Sequence, residues 1–223
     1  MKNIIQIVKT IIIPIVILAI FCTACNEDEF LKETPKDAIY AENLYVNYTG
    51  FTYALNALNS FVVEEKSGGI QVNVESGWAF KIGTDNGCTN TGWSTARMAA
   101  WYTNDLQPTR PELKALFDWL YSAINSANMI IIRAEDPDVD WQGASKEESE
   151  ANKNYVVAHA KLVWAWAYRH LTYTWGAVPL SQDEINGLTY RNDWTRESVD
   201  VIRAEMEKYL LFAEQHLPQQ SDD

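Results

Sequence analysis

The apolar positions of this chain fall into four runs with helical spacing, separated by one long stretch that has no such period. In residues 44–62, Leu44, Tyr48, Phe51, Leu55, Leu58 and Val62 recur at intervals of 4, 3, 4, 3 and 4. That spacing predicts one face of an amphipathic helix. Residues 111–135 repeat it with Leu113, Leu116, Leu120, Ile124, Ala127 and Ile131, after Thr109-Arg110-Pro111-Glu112, an S/T-x-x-E box with a proline in the first turn. A third helix is predicted from a second such box, Ser145-Lys146-Glu147-Glu148, to about Trp175. Its stretch 156–173 is apolar nearly all round, so it is expected to lie between other helices. Gly176 should stop it, and Pro179 should prevent it resuming. A fourth helix is expected from Thr195, with Val199, Ile202, Met206, Leu210, Ala213 and Leu217 on one face. The predicted class is all-α, with helical pairs of the kind that stack in repeat proteins, although no clean 34-residue period is visible.

Residues 68–108 differ: they are rich in glycine, lack a sustained period and contain Trp78, Trp93, Trp101 and Tyr102. Val72 and Val74 could form a short strand there. A connection of this length without helices is uncommon in a folded domain and usually has a function. Trp93 and Trp101 stand among Asn90, Thr91, Ser94, Thr95, Arg97 and Asn104. An indole face beside such donors and acceptors suits a sugar ring, whose C–H face stacks while its hydroxyls pair. The same tryptophans could instead pin the loop to the helices. Trp119, Trp164, Trp166 and Trp175 lie in predicted helices, where core packing is the default.

The N-terminus has another character. Lys2 and Lys9 precede an apolar run from Ile11 that reaches Thr23-Ala24-Cys25. As a helix, residues 11–24 would span about 21 Å, short of the roughly 30 Å hydrocarbon core. This is the layout of an export signal. The pattern around Cys25 resembles a bacterial lipobox, with Cys22 where leucine is usual. It implies cleavage after residue 24 and a diacylglycerol anchor on the Cys25 sulfur, and an ordinary secretory signal is the alternative. A lipid there tethers by hydrophobic transfer, about 0.8 kcal/mol per buried methylene, without a spanning helix. The expected organisation is a signal over 1–24, an acidic tether and N-terminal segment over 25–40, and a helical domain over 41–223.

Composition narrows the function. The 223 residues include 30 acidic and 18 basic side chains, a net charge of −12. Loss of Lys2 and Lys9 with a signal would deepen this to −14. Such a balance argues against nucleic acid, whose phosphates need clustered Lys and Arg. Of the three cysteines, cleavage would leave Cys88 alone beside a lipidated Cys25, so no disulfide framework is expected. His159 and His170 are eleven residues apart on one predicted helix, about 16 Å along its axis, too far to share a metal. They are read as packing or surface residues. No HExxH, Cys-x-x-Cys, P-loop or GxGxxG occurs. The run Glu135-Asp136-Pro137-Asp138-Val139-Asp140 could attract Ca²⁺, but it lacks the glycine and distal glutamate of an EF-hand loop and reads better as a solvated turn. No catalytic residue, metal or cofactor is expected. A carboxylate pair for glycoside hydrolysis is not singled out by spacing.

Several segments together resemble the SusD/RagB family of outer-membrane nutrient-binding lipoproteins. They are the acidic Asn26-Glu27-Asp28-Glu29 after Cys25, which is similar to a surface-export tag, then Phe30-Leu31-Lys32-Glu33-Thr34-Pro35-Lys36-Asp37 and Ile82-Gly83-Thr84-Asp85. The helix Trp119-Leu120-Tyr121-Ser122-Ala123-Ile124-Asn125-Ser126-Ala127-Asn128 follows. Last come the stretch from Ala158 to Tyr168, with His159, Val163 and Trp164 departing from the usual residues, and Gly176-Ala177-Val178-Pro179-Leu180. The resemblance implies an all-α body with tetratricopeptide-like pairs, corresponding to the N-terminal part of the family fold. It implies a lipid-anchored outer-membrane protein facing the cell exterior that captures oligosaccharides, without catalysis, for a SusC-type TonB-dependent transporter. By region, the expected ligand contacts are Trp78, Asp85, Trp93, Arg97, Trp101 and Tyr102. Family members are usually about twice as long or more, so the chain is expected to be a fragment, a truncated reading frame or a shortened relative. The alternative reading is a structural or docking helical-repeat lipoprotein that binds a protein partner and no sugar.

Overall fold

The computed structural model describes residues 41–67, 107–109 and 111–219. Five helices occur among them: α1 (Ala41–Leu44), α2 (Tyr48–Ser67), α3 (Pro111–Arg133), α4 (Lys146–Trp175) and α5 (Val199–His216). Among the described residues there are no strands, only two single bridging pairs, Asn47 with Asp140 and Val178 with Glu197.

The central element is α4, which packs against α2, α3 and α5. Its buried set runs round most of the helix: Val156, Val157, Ala160, Val163, Trp164, Ala167, Tyr168 and Leu171. The alanines admit neighbouring backbones on sides where a larger residue would hold them off. From α3, Leu116, Leu120, Ala123, Ile124, Ala127 and Ile130 face this core, and from α2, Phe51, Leu55 and Leu58. Each large aliphatic side chain buried here contributes about 1.5–3 kcal/mol of transfer free energy.

Local chemistry sets the ends of α4 as its sequence predicts. Ser145 accepts from the Glu148 N–H at 3.2 Å, and the Glu148 carboxylate reaches back to the Ala144 N–H at 2.7 Å. Gly176 closes the helix at φ 72°, where a side chain would be strained.

Three sequence expectations are corrected. Leu44 and Tyr48 do not share a helix: the chain breaks at residues 45–47, where the Tyr48 N–H donates to the Asp140 carbonyl at 2.8 Å and the Asp140 N–H to Val46 at 3.1 Å. Asn47 Oδ1 then accepts from the Gly50 N–H at 2.9 Å, capping the restarted helix. The last helix begins at Val199, because Ser198 is its cap and Glu197 is held extended by its bond to the Val178 carbonyl at 2.9 Å. Its packed face comprises Ile202, Met206, Tyr209, Phe212 and Ala213, whereas Leu210 points outward. The acidic run 135–140 forms the turn expected of it, in which Asp136 accepts from the Asp138 N–H and Asp140 from the Gln142 N–H, both at 2.9 Å.

Candidate functional site

Between α4 and α5 the chain runs along the C-terminal half of α3 as an irregular strap, residues 176–198. A strap of this kind exposes backbone groups that no helix satisfies, and here side chains do so. The Pro179 carbonyl accepts from Tyr121 Oη at 2.6 Å and from Tyr168 Oη at 3.0 Å. The Ser181 carbonyl accepts from Trp164 Nε1 at 3.2 Å and Asn128 Nδ2 at 3.1 Å, and the Ser181 N–H donates to Tyr168 Oη at 2.7 Å. Asn128 Nδ2 also reaches the Asp183 carbonyl at 3.0 Å. Asn125 pairs with the backbone of Ile185 in both directions, at 3.0 and 2.8 Å. Arg133 grips Glu184 with two bonds of 2.9 Å.

Burial, with the second phenol close by, raises the Tyr121 hydroxyl far above the ordinary tyrosine range. Burial raises Tyr168 as well, against the opposing bond from Ser181. Both therefore stay neutral donors. The Arg133 bond lowers Glu184 below the usual carboxylate range.

The pinned strap and the outer face of α3 enclose an open groove of about 690 Å³. It is lined by Phe117, Tyr121, Ser122, Asn125, Ser126 and Trp194, with Asp118, Pro179, Ser181 and Ile185 completing its walls. Phe117 and Tyr121 lie 4.7 Å apart between centroids, and Trp175 stands edge-on behind Phe117 at 5.4 Å. On the far side, the Arg191 guanidinium stacks on the Trp194 indole at 4.4 Å and is paired with Asp193 at 2.8 Å. Along α3, Asp118, Ser122 and Ser126 form an i, i+4, i+8 row, with about 6 Å of axial rise between neighbours. Ser122 donates to the Asp118 carbonyl and Ser126 to the Ser122 carbonyl, both at 2.9 Å. Their hydroxyl oxygens keep lone pairs for a ligand. Apolar rings beside a row of polar atoms are what a molecule with one apolar face and several hydroxyls requires.

The structure distributes the residues singled out from sequence. Cys25, Trp78, Asp85, Trp93, Arg97, Trp101 and Tyr102 lie outside the described residues, as do Cys88, Val72 and Val74. Trp119 and Trp164 are buried as expected, Trp119 with its Nε1 on Glu64 at 3.1 Å. Trp166 and Trp175 pack half-buried against the core. His159 pairs with Asn59 at 2.9 Å, and buried His170 meets the Trp166 ring at 5.1 Å. Sequence reasoning missed the groove. The test that selected Trp93 and Trp101, an indole among polar loop residues, also selects Trp194, which follows Arg191, Asn192 and Asp193. No helix among the described residues is long and apolar enough to cross a membrane.

No protein-family model matches the chain, and no curated protein matches it. Among solved structures it resembles a SusD superfamily protein from Bacteroides thetaiotaomicron VPI-5482, at 19% identity and a TM-score of 0.59, over 78% of this chain and 36% of that one. It also resembles a protein crystallised with a xylogluco-oligosaccharide, at 21% identity and a TM-score of 0.53, over 77% of this chain and 30% of that one. The chain thus spans about a third of the length of these structures. The described helices have a SusD-like, all-α fold.

Proposed function

We propose that this chain, on its SusD-like helical fold, is a glycan-binding lipoprotein of the outer membrane. In this reading it is anchored through Cys25, faces the cell exterior and captures oligosaccharide, without catalysis, for import by a SusC-type TonB-dependent transporter. The observation that carries the reading is the groove with Phe117 and Tyr121 on one side, Ser122, Asn125 and Ser126 beside them and Trp194 opposite. The xylogluco-oligosaccharide in a structural neighbour supports it. Trp78, Asp85, Trp93, Arg97, Trp101 and Tyr102 are proposed as a further ligand-contacting region.

Affinity electrophoresis of the full chain against plant, host and microbial polysaccharides tests the reading. Retardation by at least one glycan is expected, and none by any of them sinks it. Labelling with a palmitate analogue, abolished by Cys25→Ala, tests the anchor. Co-purification of a TonB-dependent transporter with the chain from native membranes tests the partnership.

A docking lipoprotein without sugar binding is the second reading. It is favoured by the outer face of α5, where Val201, Leu210 and Leu211 are 45, 41 and 51% exposed. Trp194→Ala, and separately Trp93→Ala with Trp101→Ala, discriminate between the two. Lost glycan binding at unchanged melting temperature supports the first reading; lost stability alone supports the second.

A further inference from the structure

We infer that the α3–strap groove selects neutral, hydroxyl-rich glycans against acidic ones, and that Asp118 is the residue that sets this selectivity. The inference rests on the glycan-binding reading and goes beyond it in naming the ligand's charge class and the residue that enforces it.

Among the described residues that line the groove there is one carboxylate, Asp118, and no cationic side chain. Of the described cations on α3 and the strap, Lys114, Arg191 and Arg133 are paired with carboxylates, and Arg196 is not among the lining residues. Lys114 is bonded to Asp118 itself. Arg191 pairs with Asp193 at 2.8 Å and with Asp183 at 3.9 Å, and its Cζ lies over the Trp194 indole, 4.4 Å from the centroid. Arg133 is held in two bonds by Glu184. An anionic ligand would enter next to Asp118 with no cationic side chain among the described lining residues to compensate it, in a chain of net charge −12.

The hydrogen-bonding atoms point to the same class. The hydroxyl protons of Ser122 and Ser126 are directed back along α3 to carbonyls, so what these side chains present is acceptor oxygen. Asp118 adds further acceptor capacity. Tyr121, whose proton goes to the Pro179 carbonyl, presents its ring. An acceptor row beside aromatic faces is satisfied by a ligand that brings hydroxyl donors and an apolar face, and carboxylates of an acidic glycan would meet acceptor against acceptor. Trp194, steadied by Arg191, closes the opposite side, so that a sugar ring entering the groove has an aromatic face available on either wall.

The test is titration calorimetry on the full chain in detergent at low salt, with neutral xylogluco- and cello-oligosaccharides against oligogalacturonates of matched length. The neutral series is expected to bind at least about tenfold more tightly than the uronates. Asp118→Lys, an exposed substitution that places a second cation beside Lys114, should weaken neutral binding several-fold through the lost acceptor. It should raise uronate affinity by about tenfold, an effect that fades with added salt. Ser126→Ala should weaken neutral binding several-fold at an unchanged melting temperature.

Equal affinity of the unaltered chain for both series overturns the inference. So does indifference of uronate binding to Asp118→Lys, or neutral binding untouched by Ser126→Ala and Trp194→Ala. In those cases glycan binding itself stands and is located away from the groove. Failure of every oligosaccharide and polysaccharide to bind overturns the glycan-binding reading as well.

Discussion

Removing the hydroxyl of Tyr168 should cost more than removing that of Tyr121, although both bond the same carbonyl. Tyr168 is fully buried and Ser181 is 5% exposed. In Tyr121→Phe the Pro179 carbonyl keeps its bond from Tyr168 at 3.0 Å, so one bond is lost and nothing is left bare. The expected loss is about 1 kcal/mol, the net worth of a hydrogen bond. In Tyr168→Phe the Pro179 carbonyl keeps Tyr121 at 2.6 Å, but the Ser181 N–H loses its acceptor at 2.7 Å. A buried donor without a partner adds roughly 1–3 kcal/mol, for a total of about 2–4 kcal/mol. At about 2–4 °C per kcal/mol for a chain of this size, the melting temperature should fall by about 4–16 °C, against about 2–4 °C for Tyr121→Phe. The double variant also strips the Pro179 carbonyl, so its loss should exceed the sum of the two. Urea denaturation of all four proteins, followed by tryptophan fluorescence, measures the cycle. Equal costs for the two single variants, with additivity, would refute the assignment of the Ser181 N–H to Tyr168.

Other substitutions probe other parts of the molecule. A β-carbon at Gly50 would lie 1.8 Å from the Leu44 carbonyl oxygen, so Gly50→Ala should destabilise by about 1–3 kcal/mol despite the better helix propensity of alanine. Gly187→Ala, with open space around it, is the neutral control in the same thermal melts. Ser145→Ala removes the α4 cap and should cost about 1 kcal/mol in urea denaturation. Glu184 is lowered chiefly by its bond to Arg133, so its stabilising share is full above the ordinary carboxylate pKa and is lost as pH falls through the depressed value. Glu184→Gln should therefore flatten the loss of stability measured between about pH 6 and pH 3.

The strap gives the SusD-like sequence segments their physical role. Tyr121, Asn125, Asn128, Trp164 and Tyr168 belong to the helical motifs, and Gly176 to Leu180 to the loop motif that follows. In the structure they are two halves of one clamp: the helical side chains supply the donors and acceptors that the Pro179, Ser181, Asp183 and Ile185 backbone needs. Spacing along one helix cannot reveal this, because the partners are 11 to 60 residues away.

Short-range chemistry made the helices legible. The 3.6-residue period, the Ser145 box, Gly176 and the nearly all-round apolar face of α4 each act within a few turns. They correctly predicted an all-α body with α4 at its centre. Tertiary contacts decided the rest. The break at residues 45–47 depends on Asp140, some 90 residues on, and the late start of α5 on a bond from Glu197 to Val178. Which side of α5 is buried was settled by the Trp164 and Tyr209 rings meeting at 4.6 Å, which left Leu210 outside. The groove belongs to the same class: Asp118, Ser122 and Ser126 read as an ordinary polar helix face until the strap brings Trp194 across from them. A local period reports which residues share a face of one element. What that face meets depends on chain closure over long separations, where many sequences satisfy the same local rules.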